Sequence, residues 1–297
     1  MKVDAIRPDL GRVGVWTWPL VTSPAAHIRR AVRAVEDMGY GAVWFPESRG
    51  REAIALSAML LAETSTIKVA PGIANIWARD ASAAAGAAMA LGEAWPGRFT
   101  LGLGVSHAPA VGARGHEYVR PLRRMEEYIG AMESAIFVGP EPELPVAVVL
   151  AALGPKMLRL AADRTAGAHP YFVPVDHTAF ARETMGDAAF LAPEQAVVLD
   201  TDPDRARTMA RGHMERYLLL DNYRRNLLRL GWAESDLGGG GSDAVVDAVV
   251  AWGSADQISE RIKAHHDAGA DHVSIQVISA SEGVPLIELE QLARHLL

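Results

Sequence analysis

Two hydrophobic periods take turns along the chain. Short continuous apolar runs lie at residues 13–17, 42–45, 67–73, 99–104, 145–150, 169–173, 196–199 and 272–278. Runs of this kind, bounded by Gly, Pro and small polar residues, read as strands buried on both faces. Between them the period lengthens. Ile28, Ala31, Val32, Val35 and Met38 share one helical face, with Pro24 near its start and Gly39 at its end. Further helices are predicted over 51–64, across the alanines of 81–90, around Met125, Ile129 and Met132, from Lys156, over 203–230, and around Leu289, Leu292 and Leu296.

Eight strand-then-helix units predict a (β/α)8 TIM barrel, and the 297 residues suit one such domain spanning the chain. A longer connection is expected at about 105–121. The glycine run 238–242 reads as a flexible surface loop, because too little chain follows it for an independent domain.

Composition narrows the chemistry. With no Cys, disulfides and thiolate nucleophiles are excluded, and a reducing cytoplasm is the expected location. The net charge of -7 argues against general nucleic-acid binding, and no apolar run has the length of a membrane span. A hydrophobic fraction of 49% is enough for a large core.

Active sites of such barrels lie at the C-terminal ends of the strands. That rule gathers Trp16, Glu47, Ser48, the stretch Gly72-Ile73-Ala74-Asn75, the stretch Val105-Ser106-His107, Leu153 to Lys156, and His169 at one mouth. Gly102-Leu103-Gly104 is a fragment of a dinucleotide fingerprint, but Ser106, His107 and Pro109 follow where its helix should start. Leu153-Gly154-Pro155-Lys156 sits between a strand and a helix; its free N–H groups and lysine suit a phosphate, or it is an ordinary connecting loop. No histidine pair has metal-site spacing with a carboxylate at the mouth, so no metal is assigned; for a Schiff base Lys68 lies at the wrong end of its strand and Lys263 on a helix, while Lys156 suits a phosphate better. His213, His265 and His266 read as solvated helix positions.

The pair Pro71-Gly72-Ile73-Ala74-Asn75 and Pro96-Gly97-Arg98-Phe99-Thr100-Leu101-Gly102-Leu103-Gly104 resembles the bacterial-luciferase-like superfamily, in its branch using the deazaflavin coenzyme F420. Echoes at 36–47, 151–156 and 255–258 extend the resemblance over nearly the whole chain. It implies an F420-dependent oxidoreductase that transfers a hydride to or from a small organic substrate, commonly as a homodimer. The same fold also hosts FMN-dependent monooxygenases and relatives that only bind a flavin. The resemblance further implies a non-prolyl cis peptide at Gly72-Ile73 backing the ring, and cofactor contacts from Glu47, Asn75, Val105, Ser106 and the loop Leu153, Gly154, Pro155, Lys156. Where sugar-phosphate dehydrogenases of this branch carry an Asp-His pair and a Glu, this chain has Glu47-Ser48 and His107. Glu47 and His107 are therefore the candidate reacting residues, His107 as the group titrating near neutrality. Trp16, Ser48 and His169 are candidate substrate-pocket residues.

Overall fold

The computed structural model describes residues 6–297. Its strands are β1 (Val13–Trp16), β2 (Ala42–Phe45), β3 (Lys68–Pro71), β4 (Ala74–Asn75), β5 (Thr100–Gly104), β6 (Ala147–Leu150), β7 (Gly167–Ala168), β8 (Phe190–Leu191), β9 (Glu194–Val198), β10 (Val250–Trp252) and β11 (Val273–Val277). All ladders are parallel, in the orders β10-β9-β11-β1-β2-β3 and β4-β5-β6-β7-β8. Only Gly72 and Ile73 part β3 from β4, and only Ala192 and Pro193 part β8 from β9. Each pair is one interrupted strand, and the two interruptions join the sheets end to end. Val69 bridges Phe99 across one junction, and the N–H groups of Asp271 and Ser274 reach Leu191 O and Pro193 O across the other. The ring has eight strand positions, which makes it a (β/α)8 TIM barrel; β10 pairs with β9 as an addition.

Alternation along each strand divides the core. Val13, Val15, Val43, Phe45, Val69, Leu101, Leu103, Val148 and Leu150 face the surrounding helices. Trp16, Ala42, Trp44, Ala70, Ala147, Val149 and Phe190 pack as a second cluster along the barrel axis. The two tryptophans supply most of the bulk there, among small neighbours. Trp44 Nε1 donates to His272 Nε2 at 3.1 Å, and His272 Nδ1 donates to Gly11 O at 2.8 Å, so these interior polar groups are satisfied. The helix Ala81–Ala94 lies close against the barrel as its alanines predict: a Cβ on Gly92 would stand 2.3 Å from the Val146 side chain.

Several boundaries differ from expectation. The sixth strand is Gly167–Ala168 and not 169–173, because Pro170 has no N–H for a ladder and Phe172 turns the chain with φ 60°. The expected continuous run 67–73 stops at Pro71 and resumes at Ala74. The seventh strand starts earlier, at Glu194, and β10 was not anticipated. His213 and His265 are buried, not solvated. The 105–121 connection contains the short helix Ala108–Gly112. The glycine run is a packed turn in which Gly239, Gly240 and Gly241 all have positive φ and Arg211 Nε donates to Gly241 O at 3.0 Å.

Gly102 on β5 has no room for a side chain, since an added Cβ would lie 2.1 Å from Pro71 O. Gly102→Ala should therefore destabilise the fold by about 1–3 kcal/mol through forced backbone separation. Urea denaturation checks this, with Gly86→Ala as the contrast: its added methyl meets nothing within 4 Å and it sits inside the helix Ala81–Ala94, so it should stabilise by about 0.5–1 kcal/mol.

Candidate active site

The break between β3 and β4 sits at the mouth, and the Gly72–Ile73 peptide bond there is cis, as the resemblance implied. Glu47, just beyond β2, holds the break in position. Its Oε2 accepts from Asn75 N at 2.7 Å, its Oε1 accepts from Ala53 N at 3.0 Å, and it pairs with Arg79. Glu47 is 9% exposed, and both its oxygens are already engaged. Asn75 is equally enclosed, its Oδ1 accepting from Trp77 N at 3.0 Å. Ser48 lies on the exposed rim, where its carbonyl accepts from Arg114.

Gly72 is the floor of a cradle. A Cβ there would stand 2.8 Å from Trp16 Nε1 and 2.9 Å from His169 Nε2, so only glycine lets the backbone lie against both rings. Neither nitrogen has a hydrogen-bond partner. His169 donates from Nδ1 to Ala192 O at 2.7 Å and stacks on Trp44 at 4.3 Å. That bond fixes the tautomer and leaves Nε2 as a bare acceptor. Burial pulls the His169 pKa down to about 4, against the opposing pull of the Ala192 carbonyl.

Across the mouth, Val105, Ser106 and His107 follow β5. Val105 O accepts from Trp77 Nε1 at 2.9 Å, and Ser106 has φ 59°. His107 is half-buried, 3.1 Å from Asn222 Oδ1 through Nδ1 and 5.4 Å from the Tyr223 ring. Burial lowers its pKa, while the Asn222 bond raises it. Beyond β6, Gly154 precedes the helix Pro155–Arg164, whose first turn has no side-chain cap and no acidic residue. The loop is fixed by His177 Nε2, which donates to Leu153 O at 3.0 Å, and Lys156 is exposed beside it. Free N–H groups and a lysine at one helix start suit an anionic oxygen.

The predicted site residues thus share one end of the barrel, around a break where Gly72 leaves the backbone bare and ring nitrogens without partners among the described residues lie against it. That arrangement fits a planar ring with an anionic tail. Among the described residues, no group of three or more His, Asp or Glu could hold a metal ion, and no helix is long and apolar enough to cross a membrane.

A sequence profile of the luciferase-like monooxygenase family matches residues 12–272. The chain belongs to that family. It is 29% identical, over 54% of its length, to a Mycobacterium tuberculosis protein named for coenzyme F420-dependent oxidoreductase activity, and it spans about half (54%) of that relative. It is 26% identical to 5,10-methylenetetrahydromethanopterin reductase of Archaeoglobus fulgidus, over 82% of this chain and 86% of the other. Two solved structures share the fold. An F420-dependent secondary alcohol dehydrogenase holding an F420-acetone adduct has TM-score 0.76 at 15% identity, covering 98% of this chain and 100% of the other. The oxygenating component of 3,6-diketocamphane monooxygenase of Pseudomonas putida, in complex with FMN, has TM-score 0.68 at 16% identity, with 96% and 98% covered.

Within this luciferase-like barrel, the sequence reading missed Glu194. It lies at the start of β9 and is 1% exposed, with Oε2 accepting from Phe172 N at 3.0 Å and Oε1 without a partner. Its own N–H donates to Pro170 O, so Glu194 clamps both ends of the turn that carries Tyr171. Burial pushes its pKa up to about 8, although the Phe172 N–H pulls the other way. The only sequence signal was a Glu-Gln pair directly before an apolar run.

An acid with a raised pKa holds its proton in the folded state while the unfolded chain has lost it. Between the ordinary carboxyl range and about pH 8, this group's contribution to stability therefore falls as pH rises. Glu194→Gln, which keeps the acceptor for Phe172 N–H, should stabilise the protein more at pH 8 than at pH 5, by at least about 1 kcal/mol. Urea midpoints of both proteins at the two pH values measure it.

Proposed function

We propose that this chain is a coenzyme F420-dependent oxidoreductase acting on a small organic substrate. The observation that carries the reading is the Gly72 cradle: a break in the barrel wall whose first residue has no side chain, packed against Trp16 and His169, whose Nε1 and Nε2 respectively have no partner among the described residues. When bound, the deazaflavin supplies hydride chemistry. Gly72 and Ile73 back the ring; Val105 and Ser106 contact it from the β5 side. The anionic tail lies at Gly154, Pro155 and Lys156. Glu47 acts through the backbone by holding Asn75 and the break in register. The relatives named for F420 support this cofactor.

His107 is the proton-transfer group. Its lowered pKa keeps the imidazole neutral at pH 7, ready to accept a proton from a substrate hydroxyl, and Asn222 orients the ring through Nδ1. Trp16 and His169, both buried, support Gly72 behind the ring. A second reading, an FMN-dependent monooxygenase, is favoured by the similarity to an FMN complex of the same fold.

Equilibrium titration of the purified protein with F420 and with FMN separates the two. F420 should bind at least about tenfold tighter, a difference of about 1.4 kcal/mol; the reverse order would mean the FMN reading. Binding of the ring with no hydride exchanged with any donor would mean a flavin-binding relative. His107→Ala should lower turnover by roughly 10²–10⁴-fold with F420 affinity unchanged. In the wild type, the rate of alcohol oxidation should be flat from about pH 7 upward and should fall on acidification below the ordinary imidazole pKa.

A further inference from the structure

A cavity of about 150 Å³ opens between the ends of β1 and β11, with Thr17, Trp18, His213, Gln276, Ile278 and Ser279 among its lining. No Lys, Arg, Asp or Glu lines it. It holds about five waters' worth of space, enough for a small organic molecule. It lies beside the cradle: Trp18 meets Trp16 edge-on at 5.9 Å, and Trp16 reaches Gly72.

The polarity of its wall is set by a chain of hydrogen bonds. Arg216 can only donate, so the Tyr217 hydroxyl accepts from Arg216 Nη2 at 3.1 Å. Tyr171 gives its one hydroxyl proton to Gln276 Oε1 at 2.7 Å, so across the 2.7 Å contact between the two hydroxyls it is Tyr217 that donates. With its oxygen committed, the Gln276 amide offers the cavity only N–H donors, and these have no partner among the described residues. Opposite, His213 makes no hydrogen bond through either ring nitrogen, and its Nε2 is sealed from solvent. Burial and the nearby Arg216 hold its pKa down to about 3, so the imidazole adds no charge.

A wall with no ionised residue and a donor-only amide has a definite preference. A carboxylate or phosphate would lose its hydration and meet no cation in the lining, Arg216 lying on the Trp18 ring outside it, whereas a carbonyl or hydroxyl oxygen loses far less and gains the amide. We propose that this cavity is the substrate-recognition site and that Gln276 is its specificity-determining residue, selecting small uncharged carbonyl or hydroxyl compounds. This rests on the hydride-transfer reading above, because those two classes interconvert by hydride and proton transfer.

The test uses the full chain and cyclopentanone as the probe, followed by calorimetric titration and by soaking crystals. Cyclopentanone should occupy the cavity within hydrogen-bond reach of Gln276 Nε2. It should bind at least about tenfold tighter than cyclopentanecarboxylate. Gln276→Leu should weaken it by about tenfold or more. Tyr171→Phe removes only the hydroxyl that orients the amide, and should weaken it by a smaller factor; this variant decides the matter if the first does not fold. Equal affinity for ketone and carboxylate, a probe seated elsewhere, or unchanged affinity in the variants would overturn the assignment. F420 uptake, read from its own absorbance in the same samples, is a separate arm. A chain that takes cyclopentanone at Gln276 but no F420 keeps this site and loses the cofactor reading. One that takes F420 but no cyclopentanone does the opposite.

Discussion

One buried carboxylate governs the geometry of the mouth. Glu47 ties three parts of the chain that are not adjacent in sequence: the end of β2 that carries it, the helix start at Ala53, and the backbone beyond the break at Asn75. Arg79 completes the arrangement, and the two side chains are 3% and 10% exposed. Arg79 also pairs with Glu52 and reaches Asn75 O, so the carboxylate, the guanidinium and the backbone beyond the break form one network. The interrupted third strand is therefore held in one geometry. Everything placed against it depends on that position, including Gly72, the rings of Trp16 and His169, and the loop after β5.

The same constraint changes how Glu47 is understood. A carboxylate at the mouth of a barrel is a natural candidate for direct contact with a ligand, and its place in the sequence favoured that. Its oxygens, however, are already taken by two backbone N–H groups and a guanidinium. It serves the site through the main chain, by fixing where Asn75 and Ile73 stand. His107 contrasts with it: half-exposed and held through one nitrogen only, it retains the freedom a proton-transfer group needs.

Much of this was legible in the sequence, for identifiable reasons. β2 was read to the residue, because Ala42–Phe45 is an apolar run between Gly41 and Pro46 and is buried throughout. The close-packed helix followed from its alanines, whereas the cis peptide at Gly72-Ile73 was implied only by the family resemblance, the local run 67–73 reading as one strand. What escaped were polar residues on the inside. Glu194 and Gln195 read as loop because polar side chains interrupt an apolar strand, yet both are buried, Gln195 through bonds to Val249 O and His265. His213 occupies a polar stretch of helix that reads as a solvated face, and only the packing of Phe172 and Tyr217 against it reveals otherwise. Periodicity reports where apolar groups go. It is silent about polar groups whose partners come from distant elements.

Those hidden polar groups follow the architecture. The half of the mouth built by β2 to β6 has its backbone clamped by Glu47, Trp77 and His177, and next to the break it presents glycines and main-chain atoms. The other half is supplied by the helices Pro203–Leu218 and Asp221–Arg229, inserted after β9, and it presents side chains: Tyr217, Tyr223, Asn222 and His213. A main-chain surface tolerates few substitutions, since a Cβ at Gly72, Gly102 or Gly104 collides with its neighbours. A helical insertion can change any exposed residue without moving the barrel. A cofactor common to many reactions belongs on the first surface, and a substrate that differs from one enzyme to the next belongs on the second. His107, which comes from the first half and is oriented by Asn222 of the second, stands where the two meet.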